Sequence, residues 1–110
     1  MKNKIREKLI EVAKKRNCIF YSVLADELNI PYEHIDDRNK MHEILGNISK
    51  EEIMEGRPPL SALVIRRDKY ECGNGFYELM KEIKFTRQGE SDEDALKRAW
   101  KECWDYWNKK

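Results

Sequence analysis

The alternation of apolar and polar positions predicts a helix at each end of the chain. In residues 1–16, apolar side chains recur every three or four positions, the spacing of one helix face. These side chains are Ile5, Leu9, Ile10, Val12 and Ala13. Seven basic and two acidic residues occupy most of the remaining positions of this segment. We therefore expect an amphipathic helix with one buried face and one basic, solvated face.

The C-terminal segment gives the second strong helical pattern, over residues 90–108. Ser91 is a good N-cap, and the acids at 92–94 suit the positive end of a helix dipole. The apolar side of this helix holds Leu96, Ala99, Trp100, Cys103, Trp104 and Trp107. Residues 86–89 are predicted to form the linker that precedes it.

Shorter helices are predicted between these two. Residues 22–28 form one, which ends before Pro31 because proline disfavours a helical residue ahead of it. A third helix begins at Asp36 or Asp37 and ends or kinks at Gly46. A capping-box pattern at Ser49 then predicts a further short helix that closes at Gly56.

The run from Gly56 to Ile65 predicts a strand. Two consecutive prolines, Pro58 and Pro59, enforce an extended approach, and residues 60–65 have the apolar, β-branched composition of a strand. Residues 66–71 are polar, like the tip of a hairpin, and the glycines at 73 and 75 permit the chain to return. Residues 76–83 could complete that hairpin or begin a helix, and their apolar spacing favours the helix.

This order of elements predicts a mainly α fold with a small β-hairpin, namely a winged helix-turn-helix with an added C-terminal helix. We expect one domain over residues 1–110. Within it, residues 1–16 form the N-terminal helix, residues 19–85 the helical core and wing, and residues 90–108 the C-terminal helix.

Composition narrows the class of protein. Apolar residues make up 40% and charged residues 39% of the 110 positions, and the net charge is +1. A global basic field that would attract nucleic acid is therefore not expected, so any such binding needs a local patch. Three widely spaced cysteines fit neither a disulfide framework nor a zinc site. With no signal-like or membrane-spanning segment, we expect a small soluble cytoplasmic protein without a membrane partner.

Four short motifs resemble a known family by their order. They are Phe20-Tyr21-Ser22-Val23-Leu24-Ala25, Ile44-Leu45-Gly46, Pro59-Leu60-Ser61-Ala62-Leu63-Val64 and Gly75-Phe76-Tyr77. Together they resemble the winged-helix domain of O6-alkylguanine-DNA alkyltransferases and alkyltransferase-like proteins, over about residues 19–78. The string Gly-Arg-Pro-x-Leu-Ser-Ala-[Leu/Val]-Val with a later Gly-x-Gly-Phe is also similar to a pattern in small uncharacterised bacterial and phage proteins. Both resemblances imply a fold and give no activity.

The chain departs from the alkyltransferase pattern at the reactive positions. Leu60 stands where the family has its nucleophilic cysteine, and Ser61 stands where it has a histidine. Leucine offers no nucleophile, so alkyl transfer is excluded at this position. The family's intercalating arginine would fall near Asn39, beside Arg38. We expect a protein that is not an enzyme, with no cofactor, no metal and no small-molecule substrate.

Two groups of side chains are candidates for nucleic-acid contact. One group lies on the third helix and the other at the tip of the predicted wing, where phosphates or base edges could be reached. The candidates are Arg38, Lys40, Asn47, Arg66, Arg67 and Lys69. Acidic residues among them support the alternative of a solvated, charged surface.

The three tryptophans are candidates for a partner interface. Trp100, Trp104 and Trp107 could pack onto the domain itself, or could form a homodimer or partner surface, because tryptophan is enriched at interface hot spots. Arg57, beside the prolines, is expected to pair with Glu52 or Glu55. The sequence thus leaves two functions: a small, non-catalytic DNA-binding or DNA-associated protein, or a protein-interaction module such as an accessory or inhibitor in bacterial–phage conflict.

Overall fold

A computed structural model describes residues 2–67, 72 and 74–109, with the backbone alone at Asn74. The helices are α1 (Lys2–Lys14), α2 (Tyr21–Glu27), α3 (Ile35–Met54), α4 (Asn74–Glu82) and α5 (Asp92–Asn108). A 3₁₀ turn spans Leu60–Leu63, and two short strands, β1 (Ile19–Phe20) and β2 (Val64–Ile65), form a parallel ribbon. The predicted class, mainly helical with a small sheet, is confirmed at this level, while the winged helix-turn-helix stays a prediction.

The prediction of two helices between residues 36 and 55 is wrong, because α3 is continuous over 20 residues. Gly46 does not interrupt it, since one glycine costs a helix only about 1 kcal/mol and packing can offset that. Ser49, read as a cap, is instead buried and contacts Ser61. The predicted end is confirmed, because Gly56 follows the helix with a φ of 76°, a conformation that favours glycine.

The predicted strand and hairpin are also corrected. Residues 60–63 form the 3₁₀ turn, and the strand is limited to Val64 and Ile65. The predicted return at Gly75–Tyr77 lies inside α4, which confirms the helical alternative for residues 76–83. A short run that is buried on all sides has no exposed positions to reveal its period, so its composition alone did not separate strand from turn. Residues 68–71 and Gly73 lie outside the described part of the chain.

The β ribbon joins parts of the chain that are distant in sequence. Ile19 is paired with Val64 and Phe20 with Ile65, in parallel register. Ile19 and Phe20 thus form a strand whose partner lies 45 positions further along the chain. This pairing brings the residues that follow β2 beside the start of α2.

The 3₁₀ turn lies at the centre of the molecule. Leu60, Ala62 and Leu63 are completely buried, and α1, α3 and α5 all pack against this turn. One apolar cluster lies among α1, α3 and α5, and a second joins β2, α4 and α5. The Pro-Pro-Leu-Ser-Ala-Leu segment is therefore the structural centre of the fold.

The C-terminal helix begins as predicted. The backbone N–H of Asp94 donates to Ser91 Oγ at 3.1 Å, which caps α5. Among the described residues, no helix is both long enough and apolar enough to cross a membrane.

Candidate nucleic-acid interface

The three candidate residues on α3 do not share one face of that helix. At about 100° per residue, Lys40 lies about 200° and Asn47 about 180° around the helix axis from Arg38. Lys40 borders a shallow pocket of about 120 Å³ with Ile30 and Pro31. A single surface of α3 therefore cannot present all three side chains to one ligand.

Asn47 lies on a groove between α3 and α4. This groove has a volume of about 330 Å³, with Phe76 and Leu79 on its apolar side. Its polar rim contains Lys50, which lies 3.8 Å from the carboxylate of Glu82 across the groove. Two further acids, Glu43 and Glu78, also line it. The groove is thus predominantly acidic, which disfavours a phosphate there.

Arg38 is held in place by Tyr32, in the loop before α3. Its Nε donates to the Tyr32 backbone carbonyl at 3.1 Å, and its guanidinium lies 5.5 Å from the centre of the Tyr32 ring. A hydrogen bond and a cation–π contact to one residue together restrict the side chain. Arg38 is exposed, so this guanidinium is both restrained and accessible.

Arg67 is held in a similar way at the end of the β ribbon. Its guanidinium lies 4.7 Å from the centre of the Phe20 ring, and its Nη2 lies 3.5 Å from Ser22 Oγ. The ribbon explains this contact, since Phe20 pairs with Ile65, two residues before Arg67. The exposed Arg67 is therefore the second arginine fixed over an aromatic ring.

Two tyrosines connect these arginines. The rings of Tyr21 and Tyr32 are stacked with centres 6.1 Å apart and planes 9° from parallel. Burial raises the pKa of both hydroxyls, while Arg66 acts to lower the pKa of each and Arg38 acts to lower that of Tyr32. Arg38 therefore contacts Tyr32, and Arg66, although far from Arg38 in sequence, acts electrostatically on the same hydroxyl.

We call this surface the arginine–aromatic face. It consists of Phe20, Tyr21, Tyr32, Arg38, Arg66 and Arg67. Of the six predicted nucleic-acid residues, three lie on this face, and Lys40 and Asn47 lie elsewhere on α3. Lys69 lies outside the described residues. The aromatic members were missed as site residues, because their role depends on contacts between distant segments.

The basic surplus of residues 2–16, which comprise α1 and the turn after it, is largely matched by acids, most of them from other elements. Its side chains reach α2, α3 and α5 as well as their own helix. The recorded ion pairs are Lys2–Glu51, Arg6–Glu52, Lys8–Glu27, Lys15–Glu11 and Arg16–Asp105. These basic side chains therefore stabilise the tertiary structure. Because their charges are paired, they are poorer candidates for binding nucleic acid.

The tryptophans pack on their own chain. Trp100 Nε1 donates to the Ala62 carbonyl at 2.6 Å, and Trp104 Nε1 donates to the Asn17 carbonyl at 3.0 Å. Trp107 lies beneath the guanidinium of Arg6, 5.6 Å from its ring centre. All three indoles are half-buried against the main apolar cluster. Their role in a partner interface stays a prediction.

Arg57 forms the ion pair expected of it, with Glu52. The Nε of Arg57 donates to Glu52 Oε2, while the Nε of Arg6 donates to Glu52 Oε1. Glu52 is only 1% exposed, so both of its oxygens are satisfied by arginines inside the fold. The pairing with Arg57 is confirmed, and Arg6 is an additional partner.

The cysteines are shielded thiols. Cys72 and Cys103 are buried, and burial raises the pKa of Cys103. Burial also raises the pKa of the half-buried Cys18 to about 11. Thiols with raised pKa values carry little thiolate at neutral pH and are weak nucleophiles.

Comparison of the chain with protein-family models, with curated proteins and with solved structures gave no significant match. The case for a function therefore depends on the geometry of the arginine–aromatic face.

Proposed function

We propose that this protein binds DNA through the arginine–aromatic face. The observation that carries the proposal is that Arg38 of α3 and Arg67 after β2 are each held over an aromatic ring, Tyr32 and Phe20, and that Tyr32 is stacked on Tyr21, the residue next to Phe20. Such a local concentration of positive charge is what a protein with a net charge of +1 needs in order to attract phosphate.

Restraint of two of these arginines strengthens the proposal. Ordering a flexible side chain on binding costs about 0.5–1.5 kcal/mol, and a group already held over a ring loses less freedom. Arg38 and Arg67 are each held by a ring and by a hydrogen bond. A planar guanidinium can also bind a phosphate through two parallel hydrogen bonds. The face therefore suits phosphate contact better than the dispersed lysines of α1 do.

The winged helix-turn-helix class belongs to the same proposal. In this interpretation, α2 and α3 form the helix-turn-helix pair, and the residues after β2 take the place of the wing. The resemblance to the winged-helix domain of O6-alkylguanine-DNA alkyltransferases supports this interpretation through the order of its motifs, although no antiparallel wing is present in the described residues. The proposed activity is binding without catalysis.

The test is fluorescence anisotropy with labelled DNA at about 50 mM salt, where phosphate contacts are strong. We expect a dissociation constant in the micromolar range and a steep loss of affinity as salt rises. Arg38→Ala and Arg67→Ala should each weaken binding and lower the salt slope by about one unit. Arg16→Ala is the matched control, because it removes the same charge where Arg16 pairs with Asp105. Absence of binding at this salt concentration would refute the proposal.

A protein-interaction module is the second candidate. The groove between α3 and α4 favours it, since an apolar wall beside Glu43, Glu78 and Glu82 suits a basic segment of a partner and repels DNA. If DNA does not bind in the anisotropy test, this becomes the better supported function.

A further inference from the structure

We infer that the DNA held by the arginine–aromatic face is single-stranded, with bases stacked on its guanidinium groups. This inference depends on the proposed function and specifies its ligand. Proteins that bind single strands combine positive charge along the backbone with flat side chains on which the bases stack. The face provides both kinds of group.

The first stacking position is the exposed guanidinium of Arg38, which lies over the Tyr32 ring. The Tyr32 ring is in turn nearly parallel to that of Tyr21, and we call Arg38 and these two rings the column. Tyr21 packs against the main apolar cluster and anchors the column in the domain. A guanidinium plane is a surface on which an unstacked base can lie.

The second stacking position is the pair of Phe20 and Arg67. The guanidinium of Arg67 lies over the half-buried Phe20 ring and is exposed on its other side. Phe20 and Tyr21 are consecutive residues, so one short segment of the chain contributes a ring to each of the two positions. Each position offers one flat, exposed group to a base.

The geometry of α3 argues against a duplex. A recognition helix reads a major groove with several side chains on one face, whereas Arg38 lies on the opposite side of α3 from Lys40 and Asn47. A duplex hides its base faces within its own stack, so it could not use the two stacking positions.

The experiment compares a single strand of about 15 thymidines with a duplex of the same length, at equal salt, by anisotropy. We expect the single strand to bind at least tenfold more tightly. Arg38→Lys and Arg67→Lys keep the charge and remove the planar group. Each should weaken binding of the single strand fivefold or more and should leave binding of the duplex within twofold. Arg16→Lys is the matched control and should change neither.

Tyr32 gives an independent test of the column. Tyr32→Phe keeps the ring and should bind the single strand within twofold of the native protein, whereas Tyr32→Leu should weaken it fivefold or more. Thermal melting of each variant establishes that it is folded, and Phe20→Leu replaces Tyr32→Leu if that variant is not.

The outcomes separate the inference from the proposed function. Equal or tighter binding of the duplex overturns the inference and leaves DNA binding intact. If the Arg→Lys variants bind the single strand as tightly as the native protein does, the inference is also overturned, because phosphate contact alone would then account for the affinity. Failure of both ligands to bind refutes the proposed function itself.

Discussion

Glu90, in the loop before α5, has a partly buried carboxylate that accepts three hydrogen bonds. Arg98 donates to it through both Nε and Nη2, each at 2.9 Å, and the backbone N–H of Arg87 donates at 3.0 Å. Phe85 supports the arrangement, since Arg98 lies 4.1 Å from the centre of its ring. These hydrogen bonds, chiefly those from Arg98, lower the pKa of Glu90 to about 2.

This lowered pKa predicts a contribution to acid stability. The ordinary pKa of glutamate is about 4.3, so folding favours the ionised form of Glu90. Its stabilising effect is fully present above that value and is lost as the pH falls through about 2. We expect Glu90→Gln to be less stable than the native protein at pH 7 and to lose less stability between pH 5 and pH 2, as measured by urea unfolding at each pH.

The control for this prediction is Glu93→Gln. Glu93 pairs with Lys97 but is 75% exposed, so its removal should barely alter the dependence of stability on pH. If the free energy of unfolding has the same pH dependence in the native protein and in Glu90→Gln, the Arg98 contacts do not make Glu90 a source of acid-sensitive stability.

Spacing in sequence explains which residue contacts could be predicted. Arg57 and Glu52 are 5 positions apart on stiff backbone, so their pairing followed from local geometry. Arg6 and Glu52 are 46 positions apart, and Arg67 and Ser22 are 45 apart. These contacts depend on tertiary packing, which periodicity does not encode. The candidate arginines were therefore recognisable by type, whereas the aromatic side chains that hold them were not.

At the scale of elements, Glu52 joins three segments. It lies on α3 and binds Arg6 of α1 and Arg57 of the loop that leads to the 3₁₀ turn. Removal of one member of a buried ion pair typically costs 3–5 kcal/mol, because the remaining charge loses its partner. Glu52→Gln keeps the size of the side chain and removes its charge. We expect it to lower the free energy of unfolding by about 3 kcal/mol, measured by urea denaturation.

Glu51 provides a neighbouring control on the same helix. It also pairs with a basic residue of α1, Lys2, but is 57% exposed. Exposed pairs contribute about 0–1 kcal/mol, so Glu51→Gln should have a small effect. Similar losses in the two variants would contradict the structural role assigned to Glu52.

The helices were more predictable than the connection between them. Apolar periodicity gave α1 and α5, and it favoured α4, because each of these helices has a buried stripe and a polar face. Local sequence failed at Gly46, because α3 continues through this residue of low helix propensity and packing offsets the cost. It also failed at residues 60–63, which are buried on every side and so show no period. The parallel partner of β1 was not predictable from either local pattern.

For the whole molecule, the tryptophans join α5 to the rest of the chain. Trp104 stacks on Trp100 with ring centres 6.3 Å apart and donates to the Asn17 carbonyl beyond α1. Replacing a fully buried tryptophan by alanine lowers the free energy of unfolding by about 3–5 kcal/mol, and replacing a half-buried one lowers it by less. We expect Trp104→Ala to lower the free energy of unfolding by about 2–3 kcal/mol without changing elution in size exclusion.

Trp104→Phe is the companion variant, since it keeps an aromatic ring and loses the N–H donor. It should be destabilised by less than Trp104→Ala. If Trp104→Ala instead changed the assembly state at unaltered stability, the indole would belong to an interface between chains.

The parallel ribbon makes the binding face a property of the complete fold. Phe20 and Ile65 are 45 positions apart, and closing such a long loop costs chain entropy that the contacts of the folded state must offset. A partly folded chain that retains α1, α2 and α3 as separate helices would lack the site. Binding of a ligand at the face must therefore draw the population toward the fully folded state, in proportion to ligand concentration. If the proposed single strand binds there, it should raise the melting temperature of the protein as its concentration increases.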